Sequence, residues 1–76
     1  MSVDDLLSRR AGVAPNAEEA LAARQILVAS GENLIRLAKV AETGTDADLV
    51  LFRRAMSQHQ AIQMQVTGMT AEAGRA

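Results

Sequence analysis

The chain has 76 residues, a net charge of −1, one aromatic residue and no cysteine. That length supports at most one small domain, which buries only about two-thirds of its unfolded surface. The charge balance removes any global field toward nucleic acid or membrane, and the missing thiols exclude disulfides, thiolate catalysis and cysteine-ligated zinc.

A short helix or arm is expected over residues 2–11, with Ser2 as cap, Asp5 three positions on, and Asp5–Arg9 as an i,i+4 pair. Its apolar content is Val3, Leu6, Leu7 and Ala11, so it needs docking to be stable. The stretch MSVDDLLSRR lacks the apolar core of a signal peptide, and no run anywhere reaches the roughly 20 apolar residues of a membrane span. A linker, GVAPN, follows, with Gly12 as a C-cap and Pro15 as a stop.

The chain is organised around a long amphipathic helix over residues 16–42. Asn16 is a good N-cap, Glu19 completes a capping box, and the body is rich in strong helix formers. An apolar stripe runs through Ala20, Leu27, Leu34 and Ala41, filled in by Ala23, Ser30, Gly31, Leu37 and Ala38. A flanking row of Leu21, Val28 and Ile35 widens the face beyond a narrow two-stranded seam, which implies two neighbours, or one neighbour and a subunit partner. Gly31 costs about 1 kcal/mol in isolation; beside Ser30 it suits a close approach of two backbones.

TGTD breaks the pattern, with Gly44 suited to a left-handed cap and Thr45 or Asp46 to capping the next helix. A second long helix is expected over residues 46–73, because its pattern passes Gly68 without a phase change; an end at Thr67 and Gly68, with Thr70 capping a final turn, is the alternative. Its stripe is Phe52, Ala55, His59, Ile62, Val66, Met69 and Ala73, widened by Leu49, Leu51 and Met56. The expected fold is therefore all-α: an antiparallel helical hairpin of two long helices preceded by a short N-terminal helix. The residues expected in the core or at an interface are Leu27, Gly31, Leu34, Ala38, Phe52, Met56, His59, Ile62, Val66 and Met69. Assembly is expected through the Leu27/Leu34 and Phe52/Ile62/Val66 faces.

Chemistry-bearing residues are sparse. His59 is the only histidine and lies on an apolar stripe. A symmetric oligomer could gather copies of it around a metal, but a half-buried core or interface histidine needs fewer assumptions. The glutamines of SQHQAIQMQ cannot activate a nucleophile; they can satisfy polar groups at a helix interface without the desolvation cost of a charge, or simply form a polar face. Arg9–Arg10 and Arg53–Arg54 are isolated pairs, balanced by nearby aspartates and lacking stacking aromatics, which argues against direct nucleic-acid binding. Glu32–Arg36 has the order of a favourable helix-surface pair. Neighbouring carboxylates such as Glu18–Glu19 do not share a helix face, so acid–base work is a poor explanation for them. No enzyme activity, cofactor or metal is expected.

The runs EALAARQILVASGENLIRLAKVA and GTDADLVLFRRAMSQHQAIQMQVTGMTAEAGRA resemble a helical segment of very large tailed-bacteriophage polyproteins and internal virion proteins, over residues 19–76. The resemblance implies a structural or packing role in a virion-associated protein and a chain that continues past Ala76; the missing cysteine and signal peptide fit a cytoplasmic location as the other expectation. The resemblance implies no catalytic residue. The leading expectation is a structural or interaction module whose partner is itself, as a homo-oligomer, or a larger helical protein. A small dimeric regulatory adaptor, RNA-binding or antitoxin-like, is the alternative; a non-catalytic subunit of an enzyme complex is the third.

Overall fold

The computed structural model describes residues 1–10 and 12–75, Arg75 by its backbone alone. Among the described residues three helices follow one another: α1 (Val3–Leu7), α2 (Ala17–Thr43) and α3 (Asp46–Arg75). The two long helices pack on each other as a hairpin, and α1 packs against α3. The result is an elongated rod of 47 × 18 × 17 Å. Ala11, counted among the apolar residues of the expected short helix, and Ala76 lie outside the described residues.

Each helix start is set locally. Asn16 Oδ1 accepts from the Glu19 N–H at 2.8 Å, and Glu19 Oε1 accepts from the Asn16 N–H at 3.4 Å, which satisfies two otherwise orphaned donors. Ser2 and Asp5 exchange the same pair of bonds at 3.1 Å. The Ser2 backbone N–H, followed by its hydroxyl, holds the exposed Asp5 carboxyl below the ordinary carboxylate range. At the start of α3 the Thr45 N–H donates to Asp48 Oδ2 at 2.8 Å, and the Asp48 N–H reaches Thr45 Oγ1 at 3.4 Å.

Helix ends differ more from expectation. The short helix stops at Leu7 rather than near residue 11: the Ser8 N–H makes the last helical bond, to Asp4 O at 3.0 Å, and the Arg9 N–H turns to Leu6 O at 3.3 Å. Gly12 is not its cap; it turns the chain afterwards with φ +89°, a conformation that glycine adopts without strain. Gly44 does cap α2, but with φ −92° and ψ −161° rather than in the left-handed region. Glycine suits this position for space: a Cβ there would sit 2.6 Å from Val40 O. α3, by contrast, follows the continuous reading: it runs through Gly68 to Arg75 without a break, and Thr70 Oγ1 donates to Val66 O at 3.0 Å inside the helix instead of capping a final turn.

The core lies at the open end of the hairpin, where Leu6, Ala23, Ile62, Val66 and Met69 are buried. Val3, Leu7, Ile26 and Leu27 pack around them. Leu6 and Ile62 are fully enclosed, at 0% exposure. Burying a side chain of that size contributes about 1.5–3 kcal/mol, so α1 completes a core that two helices alone would leave open. Toward the turn the interior thins to half-buried side chains such as Leu34, Leu37, Ala38 and Phe52.

Candidate interaction surface

The sequence-predicted residues separate into three groups. Ile62, Val66 and Met69 are buried, whereas Leu27, Gly31, Leu34, Ala38, Phe52 and His59 are half-buried along the two facing stripes. Met56, at 38% exposure, lies outside the interior, as does Ala73 at the far end of its stripe. The Leu27 and Ile62/Val66 faces expected to mediate assembly are instead taken up within the chain, because the hairpin folds them into one core. Gly31 faces His59, yet a Cβ at position 31 would lie 3.6 Å from His59 Cε1, an ordinary contact. No forced backbone approach therefore requires glycine there.

Polar side chains tie the elements together. Ser30 Oγ and His59 Nδ1 lie 3.0 Å apart across the α2–α3 seam, so the histidine's partner is a serine of the other long helix and not a neighbouring glutamine. Among the glutamines, Gln65 Nε2 donates to Leu7 O at 2.9 Å and so satisfies a carbonyl at the end of α1. That is the interface role an uncharged amide can fill; Gln58, Gln60 and Gln63 face outward.

The largest departure concerns Arg9. It does not pair with Asp5, whose carboxylate is engaged in the cap. Arg9 Nη1 instead meets Glu72 Oε2 at 3.1 Å, Nη2 donates to Val13 O at 2.7 Å, and Nε lies 3.8 Å from Glu19 Oε2. Glu72 Oε1 also accepts from the Gly12 N–H at 2.8 Å. One guanidinium and one carboxylate thus join the N-terminal segment, the start of α2 and the end of α3. On the outer face of α2, Arg36 Nη2 donates to Asn33 Oδ1 at 2.5 Å, and no Glu32–Arg36 ion pair forms among the described residues.

The described residues hold no group of three His, Cys, Asp or Glu side chains placed to bind a metal. None of the described helices is long and apolar enough to cross a membrane. Several large apolar side chains remain uncovered. Leu21, Val28 and Ile35 are exposed by 58%, 60% and 63%, far more than a helix buried on both flanks would allow. They recur every seven residues along α2, and a shallow groove beside them is lined by Leu21, Arg24, Gln25, Val28, Ala29 and Glu32. A second uncovered patch, Val40, Leu49, Val50 and Leu51, flanks the α2–α3 turn. An apolar row rimmed by charged residues is the arrangement of a protein–protein contact.

No protein-family model, curated protein or solved structure matches the chain.

Proposed function

We propose that this chain is a non-enzymatic protein-interaction module that assembles with copies of itself. The observation that carries this is the uncovered row of Leu21, Val28 and Ile35 on an otherwise well-capped helix. Each of these side chains gains free energy on leaving water, at about 25 cal/mol per Å², and the hairpin leaves that gain unrealised. A many-copy particle, such as a phage virion, is the setting we propose; its support is the resemblance of residues 19–76 to internal virion proteins.

The adaptor alternative draws on Arg53 and Arg54, which line a groove on α3 with Val50 and Ser57. It would require a positive stripe, and two arginines beside a chain of net charge −1 supply little of one.

Light scattering across a range of concentrations tests self-association, with circular dichroism to establish that the chain is helical. A mass at or above twice the monomer's, falling on dilution, is the expected result. A strongly helical monomer at every concentration would overturn the proposal.

A further inference from the structure

The uncovered face of α2 has apolar residues spaced evenly about its centre and opposite charges at matching distances on either side. Val28 sits at its centre, Leu21 lies seven residues before and Ile35 seven after. Arg24 lies four before and Glu32 four after, both exposed. At 100° per residue, Arg24 falls on one flank of the row and Glu32 on the other, each about 40° away, so two long side chains can reach across a contact. An isologous contact needs this self-complementarity, in which residue i meets j and j meets i.

We infer that the partner is a second copy of this chain, docked with its α2 antiparallel to the first about a two-fold axis at Val28. The inference rests on the self-association proposed above and adds its face, direction and register. In this arrangement Val28 meets its own symmetry mate and Leu21 meets the partner's Ile35. Arg24 faces the partner's Glu32, and Glu32 faces the partner's Arg24, giving two complementary pairs. A parallel arrangement in the same register sets arginine against arginine and glutamate against glutamate. Charge therefore selects the direction, while the apolar row supplies adhesion. α3 packs on the neighbouring side of α2, about 100° round from Val28, where the buried Ala23 and the half-buried Leu27 face the core, and it leaves this face uncovered.

Because the chain has no cysteine, single substitutions report geometry directly. Val28→Cys and Leu21→Cys are compared under mild oxidation, with light scattering on each. The two positions are 60% and 58% exposed, so random collisions cross-link them equally and neither change disturbs the core. In the antiparallel dimer the two copies of position 28 face each other, whereas those of position 21 stand about 21 Å apart, and a disulfide needs Cα atoms within about 7 Å. The expected result is a disulfide-linked dimer from V28C and none from L21C. Charge reversal adds a second readout. R24E or E32R alone should weaken the dimer about fivefold, as two surface pairs turn repulsive, and R24E/E32R together should restore it.

Cross-linking of L21C in preference to V28C would overturn the antiparallel register. A dimer by light scattering that neither variant cross-links would overturn this face while leaving self-association standing. A helical monomer would overturn both.

Discussion

Arg9 and Glu72, 63 positions apart in sequence, meet through a 3.1 Å ion pair with their side chains only 12% and 14% exposed. The pair closes the open end of the hairpin over the core built by Leu6, Ile62, Val66 and Met69. Its carboxylate holds the Gly12 N–H as well, so its loss affects backbone and side chain together. Glu72→Ala leaves Arg9 largely buried without its nearest anion, and should destabilise the fold by about 1–3 kcal/mol. Urea denaturation followed by circular dichroism measures this; an unchanged midpoint would mean that water satisfies both groups equally well.

Leu6 is the anchor of α1. Truncation to alanine at a site with 0% exposure removes buried methyl groups and leaves a cavity, at a cost of about 2–5 kcal/mol where surrounding structure cannot collapse. The loss should be local first: amide exchange in Val3–Leu7 should accelerate more than in the α2–α3 seam. Uniform acceleration across all three helices would show instead that α1 and the hairpin form one cooperative unit.

Two glycines make opposite predictions. At Gly31 a methyl group would make an ordinary 3.6 Å contact with His59, so Gly31→Ala should raise stability by about 0.5–1 kcal/mol through reduced backbone entropy in the unfolded chain. At Gly44 the added Cβ would stand 2.6 Å from Val40 O and collide with the Asp48 carboxylate, so Gly44→Ala should destabilise by about 1–3 kcal/mol. Thermal melts of the two variants should move in opposite directions, by about 4–8 °C per kcal/mol for a domain of this size.

The Ser2–Asp5 cap predicts a pH dependence. Hydrogen bonds from Ser2 lower the Asp5 pKa in the folded state, so between the folded and unfolded values the unfolded chain binds more protons. The stabilisation is therefore fully present above the unfolded value and is lost as pH falls through the folded one. The stability difference between wild type and Asp5→Asn should hold at neutral pH and shrink in acid. A difference that stays constant down to the lowest pH would rule out this linkage.

What the sequence determines by itself is what depends on near neighbours. Ser2 with Asp5 and Asn16 with Glu19 each form a complete capping box across three residues, so the helix starts are legible before any folding. The stripes through Leu27 and Leu34 and through Ile62, Val66 and Met69 repeat with helical period, and two such stripes joined by TGTD imply a hairpin. Tertiary structure decides everything that requires knowing which residues meet. Arg9 has an acid four positions away at Asp5, yet the cap occupies that carboxylate and the chain brings Glu72 to Arg9 instead. Gln65 is one of several similar glutamines, and only the docking of α1 singles it out as the partner of Leu7 O. Ile26 packs against the core although the main stripe omits it, which the helical period alone does not reveal. The same packing leaves Leu21, Val28 and Ile35 outside. Periodicity records that a residue is apolar on a given face, whereas whether that face is covered depends on how many helices arrive to cover it.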